Sequence, residues 1–189
     1  MAAHLATCAA AHDVKGTPQE LITLRIEAAD DPSYWIHLEV RAKATLKSLD
    51  LELRELWLEC CGHMSAFFIG REEVDMGSVV EDVLGTKGAK LRYEYDFGST
   101  TSLNARVLSK RRGSLGRNAI RILARNDPPA WRCMDCLKPA TLVCSFCWDG
   151  GFGVLCTEHA RKHEHADEGG YLPVVNSPRM GVCGYTGAG

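Results

Sequence analysis

No apolar run in this chain of 189 residues approaches the ~20 residues that a membrane-spanning helix requires. Its opening, MAAHLATCAAAHDVKG, has no basic stretch ahead of the alanines and is interrupted by His4 and His12, so neither a signal peptide nor an anchor is expected. A formal net charge of −2 offers no overall attraction to nucleic acid or anionic lipid, which leaves any such binding to a local patch. Internal repeats, long low-complexity tracts and the His-Glu-x-x-His motif of zinc hydrolases are also missing. Cysteine, in contrast, is plentiful: nine in all, six of them after residue 130. Without an export signal, that count fits metal ligation in a reducing cytoplasm better than disulfides, and a cytoplasmic, prokaryotic protein is expected.

Hydrophobic content of 46% and charged content of 24% are those of a globular chain, long enough for one ordinary domain and a small appendage. Residues 1–17 read as a loose leader. LITLRIEAA and YWIHLEVRA then alternate, placing Ile22, Leu24 and Ile26, and Ile36, Leu38 and Val40, on one face of two strands. Thr45 is a fair N-cap for a helix whose stripe runs Leu46, Leu49, Leu53, Leu56, Trp57 and Cys60, with Gly62 at its end. MSAFFIG reads as another strand, and Ser-x-x-Glu from Ser78 as a capping box for a brief helix. KLRYEYDF, SLNARVLSK and AIRILAR supply three more strands, the last two joined as a hairpin by the Gly-containing RRGSLGRN. NDPPAW marks a boundary. The expected fold class is α+β: a small mixed sheet with one main packed helix over residues 18–127, then a metal-binding module over 128–189.

The module's potential ligands are Cys133, Cys136, Cys144, Cys147, Cys156, His159, His163 and His165. Zinc takes four sulfur or nitrogen ligands in a tetrahedron, and a Cys-x2-Cys turn offers two thiolates to one ion with little strain. Eight ligands imply two Zn²⁺ ions in closed sites. Buried free thiols are the alternative, but a segment so poor in aliphatic residues has little core in which to bury them, and it is expected to need metal to fold. Catalytic zinc keeps an open position and a nearby base, and HEHADE does place carboxylates beside histidines. A zinc deaminase, however, needs His-x-Glu upstream of Pro-Cys-x-x-Cys, and that order is reversed here. Structural zinc is the reading, with no catalytic residue assigned.

The ligand order resembles the B-box family of cross-braced fingers. That resemblance implies one site from Cys133, Cys136, Cys156 and His159, and a second from Cys144, Cys147, His163 and His165. Cys183, in GVCGY, is a spare ligand that could displace one of these histidines. Two stretches of the body, LWLECCGHMSAFFIG and KLRYEYDFGSTTSL, resemble the Ri-plasmid open-reading-frame-three-like family (pRiA4b ORF-3-like), also labelled insertion-sequence passenger proteins. The similarity spans about residues 20–110 and is most specific at Tyr93 to Gly98. It implies a compact α+β fold and an association with mobile elements, without a settled activity. Many members carry Asp, Trp and His after Asp-Phe-Gly, where this chain has Ser99, Thr101 and Leu103.

Among the remaining candidates, Cys-Cys-Gly-His at Cys60–His63 reads as two buried cysteines and a histidine at a helix end rather than a metal site. His37, on the polar face of its strand beside Glu39, reads as solvated. Tyr93, Tyr95 and Phe97 share a face with Leu91 and read as core. From Phe97 to Asn126 there are seven basic residues and no acidic one: Arg106, Lys110, Arg111, Arg112, Arg117, Arg121 and Arg125. On a hairpin they would form a cationic ribbon suited to a phosphate backbone. The functional expectation is a non-enzymatic zinc-containing binding module, an adaptor or accessory for a protein or nucleic-acid partner, with no membrane or small-molecule partner. A zinc-dependent or nucleic-acid-processing enzyme is the alternative.

Overall fold

The computed structural model describes residues 2–148 and 152–187, excluding the side chains of residues 2–4, 6 and 7. The chain divides into two compact units: a body of residues 1–54 and 64–126, and a module of residues 55–63 and 127–189. The surprise is the short segment Glu55–His63, which interrupts the body's chain yet belongs to the module.

The body is a seven-stranded sheet built from β1 (Gln19–Ala28), β2 (Trp35–Arg41), β3 (Ser65–Ile69), β4 (Glu72–Val74), β5 (Lys90–Tyr95), β6 (Thr101–Gly113) and β7 (Ile120–Arg125). Spatial order is β4-β3-β5-β6-β1-β2-β7, and every pairing is antiparallel. The α+β class is therefore as expected. Register sets the faces: Ile22 opposes Val40, Leu24 opposes Leu38, Ile26 opposes Ile36, and Tyr93 opposes Leu103, all of them buried. One face of the sheet is thus the core, to which α2 (Leu46–Leu53) contributes Leu46, Leu49 and Leu53.

Thr45 caps α2 by accepting a hydrogen bond from the Ser48 N–H. The helix also carries a fully buried carboxylate, Asp50. Lys47 Nζ at 2.8 Å, Arg54 Nε at 2.9 Å, Ser65 Oγ at 2.6 Å and the Tyr93 hydroxyl at 2.9 Å all donate to it, tying α2 to β3 and β5. Burial works against ionisation of Asp50, yet these four donors outweigh it and hold its pKa below the ordinary carboxylate value. After Leu53 the helix loosens into a π turn, Arg54–Leu58, so that Cys60 leaves the stripe the sequence had drawn through it. The capping box is not realised either. The short helix α3 (Val80–Leu84) starts from Val79 with no side-chain cap, while Ser78 gives its carbonyl to the Leu46 N–H.

The opposite face explains two misread features. Residues 1–17 include a helix, α1 (Ala2–Ala11), instead of forming a loose leader. Arg121 donates to the Ala9 carbonyl at 3.0 Å and to the His12 carbonyl at 2.5 Å, and Arg111 reaches the Ala9 carbonyl at 3.3 Å. These guanidiniums add donors to the carbonyls of Ala9, which also accepts the His12 N–H, and of His12, just past the end of α1. Glu39 is fully buried beneath them, accepting from Arg111 Nε at 2.6 Å and Arg121 Nη2 at 2.5 Å. Asp13 completes a quartet of two cations and two anions, 2.7 Å from Arg111. His37 is buried as well, and desolvation, with Arg25 nearby, lowers its pKa and favours the neutral ring. His37 is therefore not solvated as expected.

The expected hairpin does not exist. β6 pairs with β1 on one edge and β5 on the other, so β7 crosses over to pair with β2. The seven basic residues are consequently dispersed. Arg111 and Arg121 are spent on Glu39, and Lys110 lies 3.9 Å from Glu81. Arg112 and Arg117 are exposed, and Arg125 is half-buried. Substituting Arg121→Ala should leave Glu39 with half its partners and cost about 2–3 kcal/mol. Arg117→Ala should stay within about ±0.5 kcal/mol. Urea denaturation of both variants checks the contrast, and equal small effects would show that the quartet adds nothing.

Candidate metal centres

A three-stranded sheet, β10-β8-β9, frames the module: β8 (Leu142–Cys144), β9 (Val154–Leu155) and β10 (Tyr171–Pro173). The single turn of helix α4 (Thr157–Ala160) follows Cys156, which stands at its N-cap. These elements carry the ligands from separate turns. At the first, the Leu137 N–H donates back to the Cys133 carbonyl at 3.0 Å and Leu137 takes a positive φ of 61°, which folds Cys133 and Cys136 into a tight loop. At the second, the Cys147 N–H reaches the Cys144 carbonyl at 3.2 Å. Gly153 passes over this turn at φ 77°, where an added Cβ would lie 2.9 Å from Cys147 Cβ. Only glycine fits that position.

All eight residues singled out in the sequence converge, in two groups of four. Cys133, Cys136, Cys156 and His159 form the first, and Cys144, Cys147, His163 and His165 the second, with the ligand atoms of each within 4.8 Å of one another. In the first, Cys133 Sγ and Cys156 Sγ each lie 3.4 Å from His159 Nδ1, and Cys136 Sγ lies 3.8 Å from Cys156 Sγ. In the second, Cys147 Sγ lies 3.3 Å from His163 Nε2 and 3.3 Å from His165 Nδ1, with Cys144 Sγ 3.6 Å from the latter. A tetrahedral ion with bonds of ~2.0–2.3 Å separates its ligands by roughly 3.3–3.8 Å, so both groups have the size of a zinc site. The grouping is first pair with third and second pair with fourth, the cross-braced order. Cys183 belongs to neither.

Electrostatics differ among the thiols: the pKa values of Cys133 and Cys156 are lowered, whereas those of Cys136 and Cys147 are raised, that of Cys147 chiefly by burial. Burial raises the pKa of the Cys133 thiol, but the backbone N–H groups of Cys156 and Asp135, with His159, outweigh it and bring the thiol down to about 6. Such a thiolate is ready for a cation at neutral pH. The cysteines also stand in for a core. Cys133 and Cys156 pack with Leu155 and Ala160, while Val143, Val154 and Met180 make a second small cluster beside Trp131 and Trp148.

A third group escaped the sequence reading. Cys60, Cys61, His63 and Cys183 bring four ligand atoms within 4.8 Å of one another, all inside the module. Cys60 is half-buried and Cys61 exposed, so the expectation of two buried cysteines is overturned. Cys183 is no substitute for a histidine of the other groups but the partner of this one. The available signal was arithmetic: once the two tetrads take five cysteines, Cys8, Cys60, Cys61 and Cys183 are left over.

No family model and no curated protein matches the chain. Among solved structures, it is similar to a protein of unknown function from Methanosarcina mazei Go1, at 16% identity and a TM-score of 0.48, over 58% of this chain and 70% of that one. Among the described residues, no helix is long and apolar enough to cross a membrane.

If metal folds the module, Cys144→Ser should release an ion and separate Trp131 from Trp148, whose rings meet edge to face at 5.6 Å. Tryptophan emission should shift to the red while cooperative melting of the body persists. Retention of both metal and emission would argue against Cys144 as a ligand.

Proposed function

We propose that the protein is a non-enzymatic binding protein, an adaptor or accessory whose module is folded around zinc and whose body takes single-stranded nucleic acid. The observation that carries the second part is a groove of about 710 Å³ on the open face of the body's sheet, lined by Arg25, Lys90, Arg92 and Arg106 around Phe68 and Asn104. Register makes the row: Arg25 opposes Arg106, which opposes Lys90 across β1, β6 and β5. Glu27 offsets Arg25 at 2.7 Å and Glu94 pairs with Arg92, whereas Lys90 and Arg106 have no ion-pair partner among the described residues. Two guanidiniums also lie over aromatic rings, Arg92 over Phe68 at 4.6 Å and Arg25 over Trp35 at 5.6 Å. Free cations for phosphates beside planar groups for unstacked bases are the chemistry of single-strand recognition. Of the basic residues singled out in the sequence, Arg106 alone lines this groove.

The metal clusters favour a structural role, because each supplies four ligands and closes a tetrahedron that a catalytic ion would leave open. A protein partner is the second reading, favoured by Met134, Leu137, Phe146 and Phe152, which stand exposed on the module. The resemblance of residues 20–110 to insertion-sequence passenger proteins makes mobile-element nucleic acid the partner to try first.

The test is a Lys90→Ala/Arg106→Ala variant, titrated with single-stranded DNA and RNA at several salt concentrations. Each phosphate contact contributes ~0.7 to the salt slope for single strands, so the slope should fall by about 1.4 with stability unchanged. No binding at low salt, or an unaltered slope, removes the groove as the site, and the protein-partner reading then leads.

A further inference from the structure

We infer that Cys60, Cys61, His63 and Cys183 form a third zinc site, a Cys3His clasp that fastens the tail of the module to the segment Glu55–His63. This goes beyond the nucleic-acid reading and does not depend on it. The sulfur–sulfur distances are those of the first tetrad, and the imidazole lies closer to its sulfurs than in either tetrad. Cys61 Sγ lies 3.7 Å from Cys60 Sγ and 3.8 Å from Cys183 Sγ, close to the ~3.8 Å between two sulfurs on one tetrahedral zinc. His63 Nε2 lies 3.0 Å from Cys61 Sγ and 3.1 Å from Cys183 Sγ, so the ring completes the set from one side.

The chain is shaped for this convergence. Gly62 takes φ 81° between Cys61 and His63, turning two neighbouring ligands toward one point. Cys183 itself takes φ 49°, uncommon for a residue with a Cβ, inside a turn bounded by Gly181 and Gly184, which are also at positive φ. A second tie holds the same two strands of chain together: the Ser177 hydroxyl donates to the Trp57 carbonyl at 2.6 Å and is buried. The tail is therefore anchored on Glu55–His63 at two places. Hydrophobic burial explains neither the exposed Cys61 nor the exposed Cys183. Three thiols and an imidazole crowded at an exposed point gain little from one another without a cation, whereas a borderline-soft ion binds all four.

Exposure also separates this site from the others. Cys133, Cys144 and Cys156 are buried, which shields the inner ions from competitors. The clasp lies open to solvent and should exchange its metal first. Because Glu55–His63 is continuous at both ends with the body's chain, the clasp ion would decide whether the module's tail stays fastened to it.

Metal analysis of the zinc-replete full chain should give three ions, falling to two in Cys61→Ser and in Cys183→Ser, with tryptophan emission retained. On the unaltered chain, thiol alkylation read by mass spectrometry should find Cys60, Cys61 and Cys183 protected by zinc. A mild chelator should expose these three while Cys133, Cys136, Cys144, Cys147 and Cys156 stay protected. Two ions in the parent, or Cys60, Cys61 and Cys183 alkylated as readily with zinc as without, would overturn the inference. The alkylation result decides the matter even if a serine variant fails to fold. It also separates failure of the clasp from failure of the inner sites, since the five inner cysteines report independently.

Discussion

The constraint on which the proposed metal-folded module depends is a ligand set of tetrahedral size drawn from turns distant in sequence. Ordering each residue costs about 1–2 kcal/mol of backbone entropy, and burying an aliphatic side chain returns about 1.5–3 kcal/mol. With Leu58, Val143, Val154, Leu155 and Met180 as its main buried aliphatic side chains, and Trp57 and Tyr185 as its fully buried aromatics, the module has a small core to set against that cost. A structural zinc, as proposed, would contribute about 10–16 kcal/mol and change the sign of the balance. Interleaving matters as much as magnitude. Because the first pair groups with the third and the second with the fourth, an ion in the first set would join the Cys133–Cys136 loop to α4, and one in the second would join the end of β8 to the residues after α4.

The body solves a different problem with charge. Its two buried carboxylates, Asp50 and Glu39, occupy opposite faces of the sheet, each satisfied by side chains from several elements. Asp50 joins the main helix to β3 and β5. Glu39, through Arg111 and Arg121, holds α1 over part of the outer face. What remains uncovered there is the cationic groove, so the partial cover on one side defines the open surface on the other.

Local patterns were legible in the sequence and distant ones were not. The alternation of Ile22, Leu24 and Ile26 and the Thr45 cap depend on neighbours within a few residues, and both are found as expected. The eight module ligands were legible because Cys-x2-Cys is itself a local turn; their grouping came from a family resemblance. The hairpin failed because a strand has only two edges, and both edges of β6 were already filled by β1 and β5. The burial of Glu39 was hidden because Arg111 and Arg121, which pair with it, are far away in the chain. The third cluster was hidden for the same reason: His63 and Cys183 are 120 positions apart.

The central claim is that metal, not a hydrophobic core, folds the module. Amide NMR spectra of the full chain before and after removal of metal by a strong chelator under reducing conditions test it most directly. The account predicts that resonances of residues 128–187 collapse to random-coil shifts, that those of the body's strands stay dispersed, and that returned zinc restores both sets. A module whose resonances remain dispersed without metal would contradict it.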